Sequence, residues 1–89
     1  MRKVLKFQFE TDGTRVLRVG QFSKVVHFAR QRDAVMVWVE HLVDAVTDRV
    51  LTLQYFGTGH EIHDTDMRHI MSTIDGPFVW HLYGKTEKA

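Results

Sequence analysis

Asp33-Ala34-Val35-Met36-Val37-Trp38-Val39-Glu40-His41-Leu42-Val43-Asp44-Ala45-Val46 fits two secondary structures at once. As a strand it puts Val35, Val37 and Val39 on one face and Met36, Trp38 and Glu40 on the other. As a helix it aligns Ala34, Val37, Trp38, His41, Leu42, Ala45 and Val46 at i, i+3, i+4 spacing, with Asp33 available as N-cap. β-Branching separates the two. The valines at 35, 37, 39 and 43 lose side-chain freedom in a helix and fit a pleated sheet. The segment therefore reads as a strand, and the chain as all-β.

The flanking sequence repeats the period of two. Leu5, Phe7 and Phe9 alternate with Lys6, Gln8 and Glu10, the pattern of a strand with one buried face. Thr11-Asp12-Gly13-Thr14 has turn chemistry, since Asp-Gly accepts the positive φ of a tight hairpin. Arg15-Val16-Leu17-Arg18-Val19 then leads to Gly20. Within residues 22–30, Val26 and Phe28 are expected to face the core, opposite His27 and Ala29. Gln31-Arg32-Asp33 reads as a polar turn.

Beyond the valine segment, Val46-Thr47-Asp48-Arg49 is a connection, and Leu51, Leu53 and Tyr55 alternate with Thr52 and Gln54. Residues 57–66 are the least hydrophobic part of the chain. A short strand at 69–74, a turn at Asp75-Gly76-Pro77 and a last strand at 78–83 follow, with Phe78, Trp80 and Leu82 inward. Pro77 donates no backbone hydrogen and belongs at the start of its strand. The expected fold is a small antiparallel β-sandwich or barrel of six to seven short strands. It forms one domain over residues 1–84, followed by a polar tail at 85–89.

Eighty-nine residues suffice for one domain. The 12 Lys and Arg nearly balance 11 Asp and Glu, leaving no strong net field for a duplex or an anionic membrane. The basic residues Arg2, Lys3, Lys6, Arg15, Arg18, Lys24, Arg30 and Arg32 crowd the first third of the chain. That keeps nucleic acid only as a minor alternative. Without cysteine there is no disulfide, thiolate nucleophile or Cys-ligated zinc. No apolar run is long enough to span a bilayer. The basic opening Met1-Arg2-Lys3-Val4-Leu5-Lys6 lacks the apolar segment of a secretory signal. A cytoplasmic location is expected.

Chemistry concentrates in Gly57-Thr58-Gly59-His60-Glu61-Ile62-His63-Asp64-Thr65-Asp66. The glycines allow Gly57, Thr58, Gly59 and His60 to turn their amides on an anion such as a phosphate. They better suit a tight exit from a strand, since a GTG triplet lacks the longer phosphate-loop pattern and its lysine. His60, His63, Asp64, Asp66 and His69 are the one group of potential metal ligands, but their spacing matches no metal signature. HExxH would need histidine at 64, where Asp64 stands. No metal and no cofactor is assigned. Ser23 and Ser72 lie in or beside strands, outside any G-x-S-x-G elbow. Thr58, next to His60, is the nearest thing to an activated hydroxyl.

Large apolar groups exceed what one small core needs. Met36 and Trp38 on the mid-chain strand, and Val79, His81 and Tyr83 on the last, are expected to face outward. Surplus apolar surface of this kind marks an oligomer or partner interface, unless a two-layer sandwich buries both faces at its centre.

Three stretches carry a family resemblance: Tyr55-Phe56-Gly57-Thr58-Gly59-His60-Glu61-Ile62, Met67-Arg68-His69-Ile70-Met71-Ser72-Thr73 and Phe78-Val79-Trp80-His81-Leu82-Tyr83. In order and spacing they resemble a family of small phage and prophage proteins of unknown function. Members share a YGTGH-x-I turn and close on VWHLF/Y. The looser first half matches through Lys6-Phe7 and Met36-Val37-Trp38-Val39. Asp75-Gly76-Pro77 departs from the Gly-Gly turn frequent there. The resemblance covers nearly the whole chain, implies a phage protein made in the host cytoplasm, and brings no activity, cofactor or catalytic residue.

The expected function is therefore a non-enzymatic binding protein. It would form homo-oligomers and engage a host or phage protein through an apolar-aromatic sheet face. The alternative is a module sequestering a phosphorylated, nucleotide-like small molecule at the 57–60 turn, across an oligomer interface.

Overall fold

A computed structural model describes residues 1–89. Seven strands follow in order: β1 (Arg2–Gln8), β2 (Thr14–Val19), β3 (Lys24–Gln31), β4 (Ala34–Leu42), β5 (Arg49–Gly57), β6 (Arg68–Asp75) and β7 (Phe78–Lys88). Residues 34–42 of the valine-rich segment form strand β4, with Val37 and Val39 buried and Met36, Trp38 and Glu40 on the opposite side; Val43 and Val46, beyond its end, are exposed. β-Branched side chains at alternate positions have prevailed over the competing helical spacing.

The strands form two antiparallel sheets, one of three in the order β1-β4-β3 and one of four in the order β2-β5-β7-β6. Their inner faces meet on Phe9, Leu17, Val19, Phe28, Val37, Val39, Leu51, Leu53 and Leu82. The shortest dimension of the molecule is 19 Å. Sheets pack about 10 Å apart, so there is room for a single layer of core side chains. Phe9 joins the layer edge-on to Phe28 at 5.9 Å and to Tyr55 at 5.0 Å, and Tyr55 meets Trp80 at 5.5 Å.

Tight turns have their expected chemistry but not always their expected use. The Asp12 carboxylate accepts from the Thr14 hydroxyl at 2.6 Å and its N–H at 3.1 Å. This turn does not close a hairpin; it carries the chain from the smaller sheet into the larger. The two true hairpins join β3 to β4 through Arg32, at φ 58°, and β6 to β7 through Gly76, at φ 56°. Gly76-Pro77 suits a type II′ turn, with glycine at the left-handed first position and proline at the second.

Three expectations need correction. Val26 is exposed and Val25 packs on the core in its place, because the register of β3 shifts between Val25 and His27. Phe78 has the right parity to face inward but lies at the strand's open end, exposed and stacked on Trp80 at 5.9 Å. Residues 85–88 are no tail. They continue β7 against β5, with Lys85 opposite Thr52 and Lys88 opposite Arg49.

A second bulge lies in β6, where His69 pairs with Tyr83 and Met71 with Leu82, leaving Ile70 as an extra residue. Space for it comes from Gly84. A Cβ there would stand 2.8 Å from Ile70 Cδ1, 2.9 Å from Leu53 Cδ2 and 3.2 Å from the Thr52 carbonyl oxygen. The connection from β5 to β6 is held down from its middle. Asp64 accepts from Lys85 Nζ at 2.6 Å and from the Asp66 N–H at 2.9 Å, while Met67 is buried beneath.

Gly84→Ala is therefore expected to destabilise the protein by about 1–3 kcal/mol through overpacking, read as a lower urea midpoint at unchanged slope. The loop clamp carries a pH signature. The Lys85 ammonium, and then the Asp66 N–H, hold the Asp64 carboxyl below its ordinary value of 3.8, and the carboxylate holds Lys85 above 10.5. The carboxylate's contribution is complete above 3.8 and is lost as pH falls through the lower folded value. The lysine's contribution is complete below 10.5 and is lost above it. Protection of the Asp66 amide, corrected for intrinsic exchange, should thus stay level through neutrality and fall only below 3.8. Asp64→Asn should lower it through the neutral range and converge with the native protein once the carboxyl is protonated.

Candidate functional site

In a regular strand, residues 69 and 72 point to opposite sides. In β6 they do not. The bulge turns both Ile70 and Met71 toward the core, so His69 and Ser72 emerge together on the outer face of the four-stranded sheet. Across the ladder Ser72 stands opposite His81. The Ser72 hydroxyl lies 2.9 Å from His69 Nε2 and 2.8 Å from His81 Nδ1. His81 Nε2 is in turn 2.9 Å from the Thr58 hydroxyl. Thr58, His81, Ser72 and His69 thus form one continuous hydrogen-bonded chain.

A neutral imidazole offers one donor and one acceptor, so the chain can run in either of two directions. If the Thr58 hydroxyl donates to His81, then His81 donates to Ser72, and Ser72 to His69. In the reverse sense His69 donates first and every bond inverts. Each direction satisfies all the groups between the two ends, which fixes both rings in orientation. Neither imidazole is bonded to a carboxylate. The Thr58 hydroxyl holds the far nitrogen of His81, where a Ser-His-Asp triad has a carboxylate.

Aromatic rings frame the chain. Phe56 meets Tyr83 edge-on at 5.8 Å, and Tyr83 meets His69 edge-on at 5.4 Å. Phe56, His60, Ile62, His81 and Tyr83 bound a shallow cleft of about 230 Å³. On the other side of the 57–60 turn, Pro77, Phe78, Val79 and Trp80 line a second cleft of about 490 Å³.

The turn itself is accounted for by backbone geometry. His60 N–H donates to the Gly57 carbonyl at 3.1 Å, and Gly59 takes φ 89° at the third position, as a type II turn requires. Gly57 makes room for a ring. The His60 imidazole folds back to within 3.1 Å of where a Cβ would stand, and its Nδ1 accepts the Gly57 N–H at 3.2 Å. Two of the four amides expected to converge on an anion are therefore taken within the turn, leaving those of Thr58 and Gly59. Thr58 turns to His81, not to its neighbour His60.

The expected interface residues separate. Val79, His81 and Tyr83 lie on the outer face of the four-stranded sheet, beside the turn. Met36 and Trp38 lie on the outer face of the three-stranded sheet, at the opposite side of the sandwich. The parity of each strand is as expected, but β4 and β7 belong to different sheets. The candidate metal ligands also disperse. His63 pairs with Glu61 at 3.4 Å, Asp64 with Lys85, and His69 with Ser72. No three His, Asp or Glu side chains stand where they could hold a metal ion together. Ser72 and Phe56 are the members of the site that sequence reasoning missed. One signal was available: adjacent apolar residues at Ile70-Met71 interrupt the alternation of β6, as a bulge does.

No curated protein and no solved structure matches this chain. One family model covers it from residue 1 to residue 89, that of a domain of unknown function, DUF7352. The chain belongs to the DUF7352 family.

Proposed function

We propose that the protein is a non-enzymatic binding module whose working surface is the outer face of the four-stranded sheet. The observation that carries this reading is the Thr58–His81–Ser72–His69 chain. It locks polar side chains in place among Phe56, Val79 and Tyr83. Rigid aromatic and hydrogen-bonding groups set side by side lose little freedom on docking, which is how interface hot spots are built. The partner is a protein, since a shallow cleft of about 230 Å³ suits a protruding side chain better than an enclosed ligand.

The phage-type motifs ending in Val79-Trp80-His81-Leu82-Tyr83 make that partner a host or phage protein met in the bacterial cytoplasm. A second copy of the chain could bury the same face. Sequestration of a phosphorylated small molecule at the 57–60 turn ranks second. Two free amides support it, but no Lys or Arg lines either cleft.

Affinity purification from a bacterial lysate, read by mass spectrometry, tests the reading through variants. The intact protein should retain a discrete partner. Tyr83→Ala and Phe56→Ala should each reduce its recovery about tenfold, as loss of a hot-spot aromatic does. Trp38→Ala, on the far face, should leave recovery unchanged. Equal recovery with Tyr83→Ala and the intact protein would refute this choice of face.

A further inference from the structure

The near-neutral chain is not neutral in its parts. Residues 1–8 and 24–42, which supply β1, β3, β4 and the hairpin between the last two, hold Arg2, Lys3, Lys6, Lys24, Arg30 and Arg32 against Asp33 and Glu40 alone. The remainder holds six Lys and Arg against nine Asp and Glu. Folding therefore splits a net +1 into a +4 three-stranded sheet and a −3 remainder.

Arg30 is occupied at the margin of the sandwich by Asp75, at 3.3 Å. Arg2, Lys6 and Lys24 share the outer face with Trp38. Glu40, the one carboxylate on that face, lies 4.0 Å from Arg2 and 3.9 Å from Lys24. Aromatics alternate with these cations. Phe22, 68% exposed, lines a depression of about 360 Å³ with Arg2 and Lys24. Trp38 lies further along, with the His27 ring at 4.9 Å and Lys6 Nζ at 6.0 Å from its centroid. Beyond it Lys6, Arg32 and Met36 line a second depression of about 350 Å³.

From this alternation we infer that the outer face of the three-stranded sheet binds single-stranded DNA. Phosphates pair with Arg2, Lys24, Lys6 and Arg32, while bases stack on Phe22 and on the Trp38–His27 pair. This is how sequence-tolerant single-strand surfaces work: aromatic platforms interleaved with a basic track. Duplex DNA is a poor fit, because its bases are already stacked and a flat sheet face offers nothing to enter a groove. RNA is disfavoured by the floor of the platform. Val4, Val26 and Met36 would leave a 2′-hydroxyl without a partner. An acidic protein segment would satisfy the charges but leave the spaced aromatics unused.

Titration of the whole protein into a short fluorescein-labelled oligothymidylate, followed by anisotropy, tests the inference. Binding is expected at low salt, with log K falling against log salt at a slope of about −3, for four contacted phosphates on a single strand. Stacking should quench tryptophan emission, and Trp38→Phe should abolish that quenching, since Trp80 belongs to the other sheet, away from this face. Lys6→Glu and Lys24→Glu should each weaken binding about tenfold by charge reversal. Phe22→Ala, at an exposed position, should weaken it several-fold, and Tyr83→Ala on the opposite face should not. Far-UV circular dichroism checks that each variant is folded. No binding of oligothymidylate at low salt overturns the inference. So does equal affinity for polyglutamate or anionic vesicles, and so does oligouridylate binding as tightly as the DNA.

Discussion

A missing side chain at Gly84 governs the shape of this molecule. Ile70 and Leu53 both reach into the space a Cβ would fill, and β6 can carry Ile70 there only as an extra residue in the ladder. Glycine within a strand commonly marks such a close approach. The effect does not stay in the core. Turning Ile70 and Met71 inward together shifts the phase of everything before them in β6. His69 then shares a face with Ser72, and Ser72 lies between two imidazoles. A packing requirement inside the sandwich thereby sets the chemistry on its surface.

Local alternation was enough to read the architecture. Val35, Val37 and Val39 mark β4, the alternation of Leu51 and Leu53 marks β5, and Leu82 is inward as its strand's parity predicts. It failed wherever the deciding contact was remote. Val26 and Val25 are interchangeable by composition, and only the register against Val39 selects Val25. Lys85-Thr86-Glu87-Lys88 is as polar as any frayed end, yet it is ordered by backbone bonds to residues 49–52. The glycines at 57 and 59 announced a turn but not the imidazole folded into it. Grouping Trp38 with Tyr83 required knowing which sheet each strand joins, and strand parity carries no such information.

The single-layer core leaves two broad outer faces, and they differ. One bears hydroxyls, imidazoles and aromatics in a rigid hydrogen-bonded array. The other bears lysines and arginines among exposed rings. A thin sandwich buries little and exposes much, so a small chain can present two unlike surfaces back to back. Of the nine carboxylates outside the three-stranded sheet and its hairpin, seven lie in loops and only Asp75 and Glu87 in strands, so neither outer face is acidic.

Strand β4 is bonded on both sides, to β3 through a tight hairpin and to β1 across most of the first half of the chain. Closing the short loop costs little entropy, whereas recruiting β1 closes a long one. The β3–β4 hairpin is therefore the cheap pairing of this sheet and β1 the costly one. During synthesis β1 emerges before β4, the one strand it pairs with. Arg2, Lys3 and Lys6 give that waiting strand a charged edge, which discourages pairing with other nascent chains until its own arrives.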